Sequence, residues 1–312
     1  MQEDRCKQTE VKSSLKQRSI FSDSGTVRTY SAIVRTLSFT LKVNSSSLAF
    51  LREFQQLTPG FPSGNKESKA SVEYEVLIQN GKNPRHLLGK QGNIVFETPD
   101  WLELLLTLQE HFLHDFIKFT RDQYYLLHSA ILVKRGKAVL LPGVSKSGKS
   151  TMAIALLKEG FKYISDEITA IDLDTLGASG FPRAIVMRDK TLSLFPHLGP
   201  EINHVGYKLI VAGKVREVHY GVPSGKNVAA MKKFYPISAI VFPHYKWKGD
   251  ACLCEIKPPS ESLFDLMQCS LNQRRLKEKG FKTAARLVRQ AKCYSLQTKD
   301  LTKACEIIND LV

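Results

Sequence analysis

The sequence predicts an α/β fold with a mixed sheet, preceded by a small α+β module. Three observations support this. A glycine-rich loop at 143–150 lies between a short apolar strand and an amphipathic helix. The segment 134–137, Lys-Arg-Gly-Lys, reads as a hairpin-like turn before that strand, so the sheet contains antiparallel as well as parallel pairs. Before residue 100, short alternating segments precede one long helical pattern.

Three segments are predicted along the 312 residues. Residues 1–28 are polar and rich in Ser, Lys and Gln, a composition typical of a flexible leader. Residues 29–119 form the small α+β module, and residues 120–312 form a larger domain around the glycine-rich loop. A hydrophobic content of 43% is enough for a core.

The elements of the module follow from hydrophobic periodicity. We expect strands at 38–43, 72–78 and around 93–96, with a turn signal at Asn80-Gly81. A short helix is expected at 47–56. The run Thr98-Pro99-Asp100 is a helix-start signature, and apolar residues then recur at helical spacing to about residue 119.

The larger domain is predicted from the same patterns. Strands are expected from Tyr124, at 138–141, 168–173, 183–187, 208–211 and 237–242, and the helix after the loop at 151–160. Further helices are expected at 261–279, 282–290 and 301–311, with Ser260 and Asp300 as N-caps. Cys252 and Cys254 would share the core face of another strand.

The loop matches the phosphate-binding pattern G-x-x-x-x-G-K-[ST]. Glycines let the backbone wrap around a phosphate chain, and the helix N-terminus adds partial positive charge. Lys149 would reach the β/γ oxygens, and the Ser150 hydroxyl would join a Mg²⁺ shell. The predicted nucleotide-binding residues are Gly143, Val144, Ser145, Lys146, Ser147, Gly148, Lys149, Ser150 and Thr151. The sequence therefore predicts a nucleoside triphosphate, with ATP and Mg²⁺ as cofactors.

Two features near the loop carry further chemistry. Asp166 and Glu167 follow the apolar stretch after the loop helix, and His128 lies on the strand before the turn. Phosphoryl transfer needs a metal on the phosphates and an acceptor for the attacking hydroxyl's proton, and two adjacent carboxylates can divide these tasks. The alternatives are an ordinary acidic turn and a core histidine.

The order of these motifs between about Leu127 and Leu173 resembles the HPr kinase/phosphorylase family, whose P-loop core is related to that of phosphoenolpyruvate carboxykinases. In this resemblance His128 corresponds to the family's histidine and Asp166 to the first carboxylate of its Asp-Asp pair, the base. Glu167 stands where the second Asp would be. The resemblance implies an HPr-kinase-like domain at 120–312 with a mixed-sheet core, and an ATP- and Mg²⁺-dependent serine kinase of the bacterial cytosol.

The chain departs from the family pattern in several places. Lys146 replaces a loop glycine, and Val144 replaces an acidic residue linked to the reverse reaction, which leaves phosphorylase activity open. The family's downstream Arg/Gly signature is not recognisable. Cationic contacts could come instead from Pro182-Arg183, Arg188-Asp189-Lys190 and Ser224-Gly225-Lys226-Asn227.

The leading interpretation is a kinase that transfers the γ-phosphoryl group to a hydroxyl, foremost a serine of a protein or peptide. Lys149 would stabilise the phosphates, Ser150 and Glu167 would bind Mg²⁺, Asp166 would be the base, and His128 would position or protonate. A small-metabolite kinase on the same core remains open, as does a nucleotide-dependent scaffold protein with little turnover.

The charge distribution and the cysteines limit which partners, metal sites and disulfides the sequence predicts. The net charge is +15, and residues 271–304 contain ten Lys/Arg against two acids. Arg275, Lys279, Lys282, Arg286 and Arg289 recur at helical spacing, although Gly280 is expected to interrupt the helix. This basic stripe is either a solvated face or a contact for an anionic partner; no aromatic motif favours nucleic acid. Six scattered cysteines predict neither zinc nor disulfides, no run is long enough to span a membrane, and a homo-oligomer stays open. A cytoplasmic location is expected.

Overall fold

The structure, a computed structural model, describes residues 19–21, 28–60, 69–181, 183–211, 214–231, 233–245 and 251–312. Most of the predicted leader lies outside these residues. Within its described part, the Ile20 N–H donates to a Glu75 carboxylate oxygen at 2.8 Å, so this turn is attached to the first sheet.

Within its described residues, the segment up to Thr120 forms five strands and two helices. In chain order they are β1 Tyr30–Thr36, β2 Phe39–Ser45, α1 Leu48–Gln56, β3 Val72–Gln79, β4 Arg85–Lys90, β5 Asn93–Thr98 and α2 Trp101–Thr120. The sheet order is β1-β2-β3-β4-β5, antiparallel except for the parallel pair β2/β3 that α1 connects. Ser47 caps α1, and Asp100 caps α2 as its helix-start signature predicts.

The next segment contains the glycine-rich loop. Its elements are β6 Tyr124–Lys134, β7 Lys137–Pro142, α3 Lys149–Lys158, β8 Lys162–Ser165, β9 Ile168–Asp172 and β10 Ala178–Gly180. A small antiparallel sheet follows, built from β11 Ile185–Met187, β12 Ile202–Val211 and β13 Lys214–Pro223, with strand order β11-β13-β12. The helix α4 Asp189–Leu194 lies between β11 and β12 in the chain. The chain ends with β14 Ile237–Tyr245, β15 Cys252–Glu255, α5 Pro259–Gln268, α6 Gln273–Leu276, α7 Glu278–Gln290, β16 Lys292–Thr298 and α8 Leu301–Asn309.

The central sheet has eight strands in the order β10-β9-β6-β7-β14-β16-β15, with β8 also paired to β6. Strands β7, β14 and β16 are mutually parallel, while β6 is antiparallel to β7, β8 and β9. The predicted mixed α/β sheet is therefore confirmed. Helices α3 and α8 pack on one face, and α5 and α7 pack on the other.

The N-terminal helix α2 packs directly on the central part of the chain. Phe112 and Phe116 contact Phe181 with ring centroids 4.6 Å and 4.8 Å apart. These residues belong to one core that also includes Ile168 and Tyr220. The packing brings the polar side of α2 to the segment after β8, which matters for the candidate site.

Three expectations about the last 60 residues are wrong. The helix predicted at 261–279 ends at Gln268, with Cys269 as its C-cap, and Lys277, with φ +50°, separates α6 from α7. Gly280 does not interrupt the helix but lies buried inside α7, where a Cβ would come 2.9 Å from Gln273 Oε1. Pro258, not Ser260, is the N-cap of α5. The predicted Asp300 cap is confirmed, since its side chain accepts the Lys303 N–H.

Cys252 and Cys254 do share one side of a strand, but that side is not a core face. The strand β15 is the edge of the central sheet, and both thiols are exposed. None of the described cysteines, at 252, 254, 269, 293 and 305, forms a disulfide. None of the described helices is long and apolar enough to cross a membrane.

Candidate functional site

The glycine-rich loop joins the carboxyl end of β7 to α3 in a tight turn. Gly148, with φ +97°, is the N-cap of α3, a conformation that strongly favours glycine. Gly143 lies so close to Ser147 that a Cβ would come 2.5 Å from Ser147 Oγ. The Gly143 N–H donates to the His128 carbonyl at 3.3 Å, which ties the start of the loop to β6.

Lys149 folds back over this loop. Its Nζ donates to the carbonyls of Gly143 at 2.8 Å and Val144 at 2.9 Å, and the residue is only 5% exposed. Burial lowers the pKa of the ammonium, while the nearby Asp166 carboxylate opposes the shift. The loop therefore holds a buried cation beside its own backbone.

Asp166 is held by two hydroxyl groups. Ser150 Oγ donates to Asp166 Oδ2 at 2.6 Å, and the Tyr163 hydroxyl donates to Oδ1 at 2.9 Å. The same Tyr163 hydroxyl lies 2.8 Å from the Arg183 carbonyl. Burial, reinforced by the Asp166 charge, raises the pKa of Tyr163 well above its ordinary value, so the phenol stays a donor. Asp166 is thus fixed against the hydroxyl of the loop helix.

Glu167 lies in a different environment from its neighbour. Its Oε2 is 3.3 Å from Arg183 Nε, and Arg183 Nη1 is 3.2 Å from Glu110 Oε1 on α2. The Glu167 side chain is 35% exposed, whereas that of Arg183 is 10% exposed. Burial raises the pKa of the Glu167 carboxyl, while Arg183 opposes and Asp166 adds to the rise.

His128 lies on the face of β6 that packs toward α3, because side chains alternate and its neighbours Ala130 and Leu132 belong to that core. Burial, with the Lys149 ammonium, lowers the pKa of His128 to about 4. The imidazole is therefore neutral at pH 7. Its backbone N–H donates to the Cys269 carbonyl at 2.7 Å.

The remaining predicted loop residues differ in their surroundings. Val144, Ser145 and Lys146 are exposed. Lys146 has φ +71°, so this lysine occupies a left-handed conformation that glycine adopts more readily. Thr151 Oγ1 lies 3.1 Å from Thr191 Oγ1, which joins α3 to α4.

Two of the three candidate cationic segments reach the site. Arg183 binds Glu167, and Arg188 lies near enough to Lys149 to help lower its pKa. Lys226 lies in a 3₁₀ turn after β13, where the neighbouring Asn227 amide donates to Glu201 and Ser224. The predicted contribution from 224–227 is not among the contacts of the loop.

The donor set fits a phosphate chain and a hard cation. Ser147 Oγ is buried in the loop without a hydrogen-bond partner, the first N–H groups of α3 lack partners within the helix, and Lys149 adds a full charge. The Ser150 hydroxyl and the Asp166 carboxylate are oxygen ligands of the kind that Mg²⁺ accepts. Among the described residues, no cluster of three or more His, Cys, Asp or Glu could hold a metal by itself. Mg²⁺ bound here would therefore take further ligands from phosphate and water.

The position of the site in the sheet agrees with this interpretation. The loop and the two carboxylates follow the carboxyl ends of the parallel strands β7 and β8, where α/β sheets bind ligands. A cavity of about 500 Å³ lies at the other end of β7 and β14, lined by Lys137, Ile237 and Tyr294. It contains none of the predicted groups.

Comparison with known proteins does not assign the chain to a family. No protein-family model matches the chain, and no curated protein sequence matches it. The resemblance to HPr kinase/phosphorylase thus stays a prediction, and the site is interpreted from its own contacts.

Sequence reasoning missed two residues of this arrangement, Tyr163 and Glu110, and one buried polar residue outside it, Asn272. Tyr163 lies in an apolar stretch and reads as core, although its position three residues before Asp166 could have marked it. Glu110 is one of several polar residues on α2, and nothing local distinguishes it. Asn272 is buried between α5 and β6, and its isolated polarity gives no sign of its three backbone hydrogen bonds.

Proposed function

We propose that the chain is an ATP- and Mg²⁺-dependent kinase that transfers the γ-phosphoryl group to a hydroxyl, with a serine of a protein or peptide as the acceptor. The observation that carries the proposal is the 2.6 Å hydrogen bond from Ser150 Oγ to Asp166 Oδ2. It joins the hydroxyl expected to bind the metal to a carboxylate, at the end of a loop suited to phosphate.

The contacts favour roles for Asp166 and Glu167 that are the reverse of those implied by the family resemblance. Asp166 is bonded to Ser150 and Tyr163, which suits a carboxylate on the metal side. Glu167 is more exposed and its pKa is raised, which brings it nearer to the pKa of an effective base at neutral pH. We therefore assign Glu167 as the proton acceptor and Asp166, with Ser150, to the metal.

The other groups have supporting roles. The Lys149 ammonium stabilises charge on the transferred group, and its buried position makes that interaction strong. His128 is neutral at pH 7 and serves as a hydrogen-bond partner that orients, not as an acid. Mg²⁺, when bound with ATP, neutralises charge that develops on the phosphate oxygens.

A labelling experiment tests the proposal. The full chain is incubated with ATP labelled at the γ position, Mg²⁺ and fractionated cytosol of its host, and the labelled product is separated by size and analysed for phosphoserine. We expect a labelled protein or peptide with wild type, and a loss of labelling by orders of magnitude with Lys149→Ala, because this variant removes the charge and keeps the backbone cradle.

Each alternative has its own outcome. Label in a small molecule would identify a metabolite kinase. ATP binding without any labelled product would identify a nucleotide-dependent binding protein. If Lys149→Ala binds ATP as wild type does, the phosphate-binding interpretation of the loop fails.

A further inference from the structure

Two histidines meet on one side of the β12–β13 hairpin, and neither is among the residues assigned to the candidate kinase centre. His204 Nε2 lies 3.0 Å from His219 Nδ1, and the rings are stacked with an interplanar angle of 19°. In the strand register His219 faces Gly206 and His204 faces Gly221, so the imidazoles are diagonal neighbours on one side of the hairpin. The side chains of the opposite side, including Leu209 and Tyr220, enter the core.

The backbone leaves room for this arrangement. A Cβ on Gly206 would lie 3.2 Å from His219 Nδ1 and 3.7 Å from His204 Cε1. The 3.2 Å distance to His219 Nδ1 is tighter than ordinary van der Waals contact. The glycine opposite His219 therefore allows the two ring nitrogens to converge.

Glu217 lies behind one of the two rings. Its Oε2 is 3.5 Å from His219 Nε2, the nitrogen that does not face His204, while its Oε1 is 3.2 Å from Lys208 Nζ. Histidines that bind a metal through one nitrogen commonly donate from the other to a carboxylate, which fixes the ring and its tautomer. Glu217 is placed for that role.

We propose that His204 Nε2 and His219 Nδ1 chelate a divalent transition-metal ion, with Zn²⁺ as the reference ion and water at its remaining positions. Two imidazole nitrogens at 2.0–2.1 Å from a tetrahedral zinc are about 3.3 Å apart, close to the 3.0 Å separation seen here. Imidazole suits zinc, copper and nickel, in contrast to the oxygen ligands expected for Mg²⁺ at the candidate kinase centre. The bound ion would link β12 to β13.

Zinc binding by the full chain tests this site. Cys252 and Cys254 are exposed with their sulfur atoms 3.1 Å apart, and they would compete for zinc, so the parent protein carries Cys252→Ser and Cys254→Ser. Zn²⁺ is titrated by calorimetry in excess Mg²⁺ and without nucleotide. We expect one equivalent to bind, and binding at least about tenfold weaker in His204→Ala and in His219→Ala.

Further variants separate the roles of the neighbours. His244→Ala, which removes an exposed histidine of β14, is the matched control and should bind zinc as the parent does. Glu217→Gln should weaken binding by about tenfold through the second nitrogen of His219. Gly206→Ala should weaken it by displacing the His219 ring.

The parent protein also gives a test without any change in the hairpin. Cu²⁺ bound to it should give an electron paramagnetic resonance spectrum with coupling to two imidazole nitrogens. A spectrum without such coupling overturns the proposal, even if a histidine variant fails to fold. Zinc affinity and stoichiometry that stay the same in His204→Ala and His219→Ala overturn it as well.

Discussion

Arg183 Nε lies 3.3 Å from Glu167 Oε2, and the same guanidinium reaches Glu110 on α2. Arg183 is 8% exposed, and its carbonyl lies 2.8 Å from the Tyr163 hydroxyl, which donates to Asp166. One buried residue therefore contacts Glu167 directly and Asp166 through the tyrosine. It also joins them to a helix of the N-terminal segment, which gives that segment a direct contact with the candidate centre.

Removing this cation should change the pH dependence of turnover. An opposite charge favours the ionised form of a carboxyl, so Arg183→Gln should raise the pKa of Glu167 further. If Glu167 must be ionised to accept a proton, the acidic limb of the kcat profile moves to higher pH. The measurement is kcat for ATP turnover between pH 5 and pH 9, with the acceptor that the labelling experiment identifies.

Arg188→Gln is the matched control, because Arg188 is a neighbour of Lys149 and is not an ion-pair partner of Glu167. Its acidic limb should stay at the wild-type pH. If the acidic limb of the kcat profile does not move in Arg183→Gln, Arg183 has no influence on the ionisation of Glu167 during turnover. Its role would then be structural.

The two carboxylates should respond differently to loss of charge. With Glu167 as the base, Glu167→Gln should keep ATP binding and lose about 10²–10⁴-fold in transfer. Asp166→Asn should raise the Mg²⁺ concentration needed for half-maximal activity by about tenfold, because it weakens the oxygen set around Ser150. The measurements are single-turnover rates and Mg²⁺ titrations.

The opposite pattern would restore the assignment implied by the family resemblance, with Asp166 as base and Glu167 on the metal. Equal and mild effects from both variants would favour an ordinary acidic turn.

Lys146 combines an exposed charge with a left-handed backbone, and two substitutions separate these properties. Lys146→Gly removes the charge and the strain, and should raise the free energy of unfolding by about 0.5–1 kcal/mol. Lys146→Ala removes only the charge and should not gain this stability. If the charge contributes to phosphate binding, both variants lose ATP affinity equally. Denaturant unfolding measures the stability effect, and ATP titration measures the charge effect. If Lys146→Gly and Lys146→Ala have equal free energies of unfolding, the left-handed backbone at residue 146 is not strained.

The sequence predicted those parts of the fold that local patterns specify. Alternation placed β2 and β3, the Asp100 signature began α2, and the glycine pattern located the loop between β7 and α3. The strands β1 and β4 were not predicted. In β4 the buried Leu87, Leu88 and Gly89 are consecutive, so the alternation that marks a half-buried strand is absent.

The candidate site was predictable only where its residues are close in sequence. Lys149 and Ser150 lie in one motif, and Asp166 follows it after a helix and a strand. The link from Glu167 through Arg183 to Glu110 joins residues far apart along the chain, and it depends on how α2 packs against Phe181. No local pattern encodes that packing.

Asn272 should be among the polar residues most important for stability. Its Nδ2 donates to the carbonyls of Arg121 and Tyr124, both at 2.7 Å, and its Oδ1 accepts the Leu126 N–H at 2.9 Å. The residue is 4% exposed, so Asn272→Ala leaves backbone groups without partners and should cost about 2–4 kcal/mol. Asn93→Ala, which loses one exposed hydrogen bond of 3.4 Å, is the control and should change stability by less than about 0.5 kcal/mol. Similar unfolding midpoints for the two variants would contradict the role of Asn272.

The basic stripe of residues 275–289 should behave mainly as a solvated surface. Several of its charges already have partners: Arg275 pairs with Asp122 at 2.6 Å, Lys282 with Glu278 at 2.6 Å, and Arg286 donates to the carbonyls of Leu173 and Asp174 at 3.0 Å and 2.8 Å.

Reversing the charges that hold no such structural contact separates the two interpretations of the stripe. Lys279 and Arg289 are exposed on α7, so Lys279→Glu/Arg289→Glu should fold normally. A solvated face predicts unchanged phosphorylation of the acceptor at low and physiological salt. Steering of an anionic acceptor predicts a slower rate at low salt and a smaller difference at physiological salt, since screening weakens the attraction. Arg286→Glu should instead lower the unfolding midpoint, because it removes both hydrogen bonds to the turn after β9. We expect the first outcome for the double variant; a salt-dependent loss of rate with intact ATP binding would make the stripe part of the acceptor site.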